Sequence, residues 1–250
     1  MLSDVVTALQ ITPGRLVQPV EAASYDAWIK YYRPDENSGN ASISYYTKGA
    51  VIGFLLDARL RRATGGAKTL DDLMRLMFER FSGARGYTPE DLRAAAAEVA
   101  GPAGGAGMRQ WLAAAVDTTQ ELDYREALDW FGLQFRPLPE KPRPSLGVRT
   151  RVDGQRTIVT EVRRGSAAAD AGLDINDELV SVNGVDVAGR LADRLAVFTP
   201  GDKITFAIVR RGATEHVDVT LGTDPTQLWS LAPVPDPTRD QLAHLAAWLD

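Results

Sequence analysis

The sequence has no cysteine and only two histidines, His216 and His244, among 250 residues. Without thiols there is no disulfide framework and no thiolate nucleophile or metal ligand, and reducing and oxidising compartments both remain open. The two histidines are far apart, so they cannot form the pair, one helical turn apart, that an H-E-x-x-H zinc helix requires. No apolar run approaches the roughly 20 residues of a membrane span. Residues 1–10 lack the basic, apolar and small-residue order of a signal peptide, although in a piece of a longer protein that absence would say nothing about export. Positive charge is in short supply, with 28 Lys and Arg against 33 Asp and Glu for a net charge of −5, which argues against a nucleic-acid partner. The glycine-rich run from Gly101 to Gly107 lacks the Gly-Lys-Ser/Thr ending of a phosphate loop and reads as a flexible connection between helices.

What is present is ordinary globular composition, 44% hydrophobic and 24% charged, with a change of period partway along. Up to about Gln134 the pattern is helical. Val51, Phe54, Leu55, Ala58 and Leu60 recur at helical spacing until Thr64-Gly65-Gly66 ends the run. Thr69 caps a second helix with Leu73, Met74, Met77, Phe78 and Phe81 as one apolar stripe, expected in the core. Thr88-Pro89-Glu90-Asp91 opens a third, running to about Ala100. A fourth carries Met108, Trp111 and Leu112, and a short fifth ends at Trp130-Phe131-Gly132. No strand is needed to explain this half. The stretch RPLPEKPRP, Arg136 to Pro144, favours an extended spacer. Beyond it the period is that of strands, at residues 157–162, 178–182, 204–209 and 216–221, with turn pairs Asn183-Gly184 and Arg211-Gly212 and short helices after Ser166 and near Leu191. A proline-spaced tail ends in a helix capped by Asp236. The expected fold is multidomain: an all-α subdomain (1–135), a linker (136–143), a mostly-β domain (144–222) and a tail with a terminal helix (223–250).

Gly165-Ser166, Ala171-Gly172-Leu173, Asn176-Asp177-Glu178-Leu179-Val180, Val182-Asn183-Gly184 and Thr199-Pro200-Gly201-Asp202 follow one another in an order that resembles a bacterial PDZ domain of the kind attached to HtrA-type proteases. The resemblance implies capture of an extended chain end by strand addition, with loop amides receiving the terminal carboxylate. The matching loop is Ser145-Leu146-Gly147-Val148, where a glycine lets backbone amides face an anion. Leu191 and Leu195, one turn apart, would line the groove, with Arg194 as a rim charge. A groove filled by the protein's own linker or tail, acting only as a scaffold, is the alternative.

In RPDENSGNASISYYTKGAVIGFLL, Arg33 to Leu56, the core Tyr46-Thr47-Lys48-Gly49 resembles the Tyr-x-Lys-Gly element of gluzincin zinc aminopeptidases, and the flanking residues are similar to the glycyl aminopeptidase family. The resemblance implies that Tyr46 donates a hydrogen bond to the oxyanion of the transition state, that Lys48 and Gly49 complete the motif with Gly49 serving close helix packing, and that Asp35 or Glu36 meets the substrate's free amine. It also implies a catalytic zinc in the intact enzyme. With no H-E-x-x-H, this chain is expected to hold no cofactor, to be inactive alone, and to be the C-terminal portion of such a thermolysin-like peptidase, with the N-terminal catalytic portion of the same protein and peptide C-termini as partners. Asn37-Ser38-Gly39-Asn40 superficially resembles the nucleophile loop of HtrA serine proteases, but no histidine base precedes it. The alternative function is a non-catalytic PDZ adaptor. Substrate preference and compartment, cytoplasmic or periplasmic in a bacterium, stay open.

Overall fold

The computed structural model describes residues 1–249. Its helical part holds α1 (Leu2–Gln10), a 3-10 turn at Pro13–Leu16, α2 (Val20–Tyr25), α3 (Ser38–Ala41), α4 (Tyr45–Ala63), α5 (Leu70–Phe81), α6 (Pro89–Asp117) and α7 (Arg125–Phe131). Helix α4 is the axis. Ser44 caps it by accepting from the Thr47 amide, which satisfies one of the free donors of the first turn. Val51, Phe54, Leu55, Ala58 and Leu60 are all buried, so α1, α2, α6 and α7 pack around it. The caps expected at Thr69 and Thr88 are capping boxes closed by Asp72 and Asp91.

Four local expectations are corrected. The run Gly101–Gly107 is helical and belongs to α6, interrupted only at Gly101 (φ 73°, ψ −178°), after which Pro102 restarts the helix at the position proline tolerates. The α5 stripe is wider than its buried seam: Leu73 and Met77 are buried, whereas Met74 and Phe78 are exposed. The terminal helix is capped by Thr238, whose hydroxyl accepts from the Gln241 amide while the Gln241 side chain accepts from the Thr238 amide. Finally, the helical part does use strand pairing, because β1 (Leu133–Phe135) pairs antiparallel with β10 (Leu231–Pro233).

That last pairing brings the tail home. Helix α10 (Arg239–Leu249) lies on α7, with Trp248 against Phe54 and Phe131 and the His244 ring stacked on Trp130. The helical domain is thus closed by the last twenty or so residues of a chain that has meanwhile built a second domain. In that domain β3 (Val148–Asp153), β4 (Arg156–Val162), β5 (Glu178–Val182), β7 (Lys203–Arg210) and β8 (Ala213–Thr220) form an antiparallel sheet in the order β3-β4-β5-β7-β8, with β6 (Val185–Asp186) also paired to β5. Strand β2 (Pro144–Ser145) pairs with β9 (Gly222–Thr223). Helices α8 (Ala167–Asp170) and α9 (Leu191–Leu195) close the core of Leu146, Val159, Leu179, Phe206, Ile208 and their neighbours. The buried Asp177 carboxylate, held by two bonds from Arg210 (2.8 and 2.7 Å) and one from the Asp174 amide (2.8 Å), fixes the turn into β5.

Candidate functional site

Two separate candidate sites stand out. The first is a cluster of tyrosines at the start of α4. Tyr46 is 61% exposed, and its ring lies 4.2 Å, centroid to centroid, from that of Tyr45. The Tyr32 hydroxyl sits 3.2 Å from that of Tyr45 and 3.3 Å from that of Tyr46. Hydrogen bonding with Tyr32 first, and with Tyr45 second, holds the Tyr46 hydroxyl below the ordinary tyrosine range, while the Tyr45 hydroxyl, bound to the same Tyr32, is pushed up. The Tyr32 hydroxyl thus ties the two phenols together, and Tyr46 keeps an exposed side.

Lys48 lies two residues on, and in a helix that is nearly the opposite face. It is 2% exposed, with Nζ 3.4 Å from the Thr118 carbonyl oxygen, so it does not share the surface that Tyr46 presents. Gly49 is not a close-packing glycine: a Cβ built there meets nothing within 4 Å. Asp35 spends its carboxylate on its own turn, accepting from the Asn37 amide (3.0 Å) and the Ser38 hydroxyl (2.8 Å). The Ser38 hydroxyl first, and the Asn37 amide second, hold its carboxyl below the usual range. Glu36 is exposed. Ser38 is thereby tied to Asp35, and the histidines are elsewhere: His216 in β8, and His244 against the Trp130 carbonyl at 3.1 Å. Among the described residues no three of His, Cys, Asp or Glu come together as a metal site. These residues do not fit a zinc ligand set.

The second site is a groove of about 820 Å³ between β3 and α9. Strand β3 is an outer strand of the sheet, so its far edge is free to pair. Val148 faces Val162, and the Arg163 amide donates to the Gly147 carbonyl at 2.9 Å. That bond flanks a pair that is itself not hydrogen-bonded, so the N–H and C=O of Val148 point to the open edge. The Leu146 carbonyl is turned inward to the Ala168 amide (2.9 Å), and a planar trans peptide then aims the Gly147 N–H the other way, outward. Gly147 is required here: its φ is +80°, and a Cβ would meet Ser166 Cβ at 2.2 Å.

Ser145, Leu146, Gly147, Val148, Leu191 and Leu195 all line this groove. Arg194 does not; its guanidinium donates to the Asp186 carbonyl at 2.7 Å, behind α9. The cation the sequence reading missed is Arg163, which lines the loop end of the groove together with Lys141 and Arg143 of the linker. Its signal was its register, opposite Gly147, which only strand pairing reveals. Leu195 is 9% exposed and belongs to the domain core, so Leu191 is the more accessible apolar wall.

The two domains meet beside both sites. Asn40, 8% exposed, donates from Nδ2 to the Val162 carbonyl (2.8 Å) and accepts on Oδ1 from the Arg164 amide (2.8 Å).

Set against known proteins, the model of the M61 glycyl aminopeptidase family matches residues 1–52, and that of the PDZ domain matches residues 144–221. The chain thus joins a segment similar to the glycyl aminopeptidase family to one similar to the PDZ domain. Its fold is shared with the crystal structure of an aminopeptidase N family protein from Idiomarina loihiensis, at a TM-score of 0.82 and 24% identity, covering 100% of this chain and 43% of that one. A probable periplasmic serine endoprotease, DegP-like, from Bartonella henselae is 30% identical over 98 residues, 38% of this chain and 19% of the relative. The periplasmic pH-dependent serine endoprotease DegQ of Escherichia coli is 37% identical over 75 residues, 29% of this chain and 16% of that protein. The chain thus spans a fifth or less of these two curated relatives, and under half of the protein whose fold it shares. No helix among the described residues is long and apolar enough to cross a membrane.

Proposed function

We propose that these residues are one part of a glycyl-aminopeptidase-like enzyme that is zinc-dependent when intact, and that they supply the hydroxyl of Tyr46 and a peptide-binding PDZ groove. The observation that carries the reading is the exposed Tyr46 hydroxyl at the head of α4, inside the segment matched by the M61 family. A neutral phenol held at a fixed point by Tyr32 can donate to an oxygen on which negative charge develops, and such donors act where water is excluded. No zinc ligand set gathers among the described residues, so on this reading zinc would be held by residues outside these 250. Glu36 is the free carboxylate for a substrate amine, since Asp35 is committed to its turn. On this reading the chain alone turns over no aminoacyl substrate.

The test is hydrolysis of glycyl and alanyl anilides by the intact protein and its Tyr46→Phe variant. Removing the donor while keeping the ring should lower kcat by roughly 10²-fold with little change in KM. Near-normal turnover would leave Tyr46 a surface tyrosine.

The groove reading has its own test. Outward amides at Gly147 and Val148 beside the partly buried side chains of Val148 and Leu191 suit a chain end that is anionic and carries an apolar last side chain. Free-acid peptides with such an end should bind in about the micromolar range, roughly −8 kcal/mol, and their amidated forms much more weakly. Leu191→Lys should abolish capture, and because Leu191 is only partly buried against the core the fold should persist. Equal response to acid and amide would make the domain a scaffold.

A further inference from the structure

Behind the carboxylate loop lies a second cavity, of about 500 Å³, formed only where the two domains meet. One wall is Gln10, Ile11 and Arg15 of the helical domain, and the other is the turn Arg163–Ala167 of the PDZ domain. Its polar lining is of one sign. Arg149 and Arg156 of the same sheet are paired with Glu161 and Glu178, but the Arg163 and Arg164 guanidiniums have no carboxylate partner among the described residues. Arg15 is balanced by Glu121 at 3.0 Å, which leaves the cavity with two uncompensated cations. Gln10, 6% exposed, bonds the Tyr124 hydroxyl through its amide, and the other end of that amide has no partner. Rotating the amide keeps the Tyr124 bond, with the phenol as donor, and frees an N–H₂. Gln10, Arg163 and Arg164 line the same cavity, and a buried polar end with no partner is costly.

We propose that this interdomain cavity is a binding site for a small oxyanion, a phosphate or carboxylate group, clamped by Arg163 and Arg164. Guanidinium forks match the paired oxygens of such groups and hold them bidentately. The apolar surfaces of Ile11 and Pro13 make room for a short carbon skeleton attached to the anion. Because Arg163, Ser145 and Gly147 line both this cavity and the peptide groove, a bound oxyanion would draw the Arg163 side chain to the interdomain side and reduce the positive field at the loop end of the groove.

The test uses the whole chain and two probes, inorganic phosphate and succinate, each titrated at constant ionic strength against sodium chloride while backbone amide shifts are followed. Saturable shifts confined to residues 10–16 and 163–167 are expected, with at least a tenfold weaker midpoint in Arg163→Gln/Arg164→Gln. The backbone amides of both residues are kept in that variant, so the bonds to Gly147 and Asn40 survive. Arg190→Gln, which removes a charge at an exposed site away from the cavity, should leave the midpoint unchanged. Saturation by phosphate alone or succinate alone would identify which oxyanion the site takes. Linear drift with both probes, an unchanged midpoint in the double variant, or equal weakening by Arg190→Gln would overturn the proposal.

Discussion

Tyr46 and Lys48 read as one motif in the sequence, yet the fold sends them to opposite sides of α4, one into solvent and the other to 2% exposure. A spacing of two residues in a helix cannot do otherwise, so the separation was implicit once α4 was recognised. What was not legible is the depth of Lys48, because Thr118 and Glu121 come from a loop some seventy residues away. Burial holds its amine below the usual lysine value, partly offset by the Glu121 charge. Since the folded value is depressed, the unfolded chain holds the proton more tightly, and stability rises with pH between the folded value and that of free lysine. Lys48→Met keeps the stem and removes the buried charge. It should raise stability at neutral pH by roughly 1–3 kcal/mol and abolish the alkaline rise. Urea titrations of both proteins at pH 7 and pH 10 would read this, and a loss of stability at pH 7 would mean that the ammonium is needed where it lies.

The glycines of α6 show how far an element can be read from composition. A run with four glycines in seven residues looks like a loop, and the sequence gives no hint that Gly104 and Gly105 are there for space. A Cβ at Gly104 would meet Ala63 Cβ at 2.8 Å, and one at Gly105 the Ala97 carbonyl oxygen at 2.8 Å, so it is the approach of α4 and of the preceding turn that selects them. Gly101 serves conformation, at φ 73° and ψ −178°, a region open to almost no other residue. Gly107 serves neither, since nothing lies within 4 Å of its added Cβ. Gly107→Ala should therefore stabilise the chain by about 0.5–1 kcal/mol, and Gly101→Ala should destabilise it by roughly 1–3 kcal/mol. If thermal melts moved the same way for both, the break at Gly101 would be no constraint. The PDZ elements, by contrast, were legible nearly throughout. Their turn pairs take positive φ where expected, at Asn183-Gly184 and Arg211-Gly212, and such local chemistry needs no distant partner to be recognised. The strand β1 was missed for the opposite reason: its partner β10 lies about a hundred residues away and carries no pattern of its own.

At the scale of the whole molecule, the chain leaves the helical domain at β1, builds the PDZ domain, and returns through β10 and α10, so the PDZ domain is tethered at both ends. Two tethers set the neighbourhood but not the orientation. Asn40 contributes to it, meeting the backbone at Val162 and Arg164 with one donor and one acceptor. An amide side chain does both at once through two different atoms, and Asn40 belongs to the segment that runs directly into Tyr45 and Tyr46. This joint bears on how the two sites relate. A peptide added to β3 with its carboxylate at Gly147 would run toward Asp153, away from the Asn40 joint, so its amino end leaves the groove on the side remote from α3. Asn40→Asp keeps size and the acceptor for Arg164 but sets a carboxylate oxygen against the Val162 carbonyl, a repulsion in place of a hydrogen bond. The cost should be roughly 1–3 kcal/mol, borne by the interface and not by either core. Hydrogen exchange would speed at Arg164 and through residues 38–42, while the amides of β5 and β7 keep their protection. Nuclear Overhauser contacts between residue 40 and Val162 would vanish with the tyrosine cluster intact. If exchange rose instead throughout the PDZ sheet, Asn40 would be part of that domain's stability, and the orientation would rest on the two tethers alone.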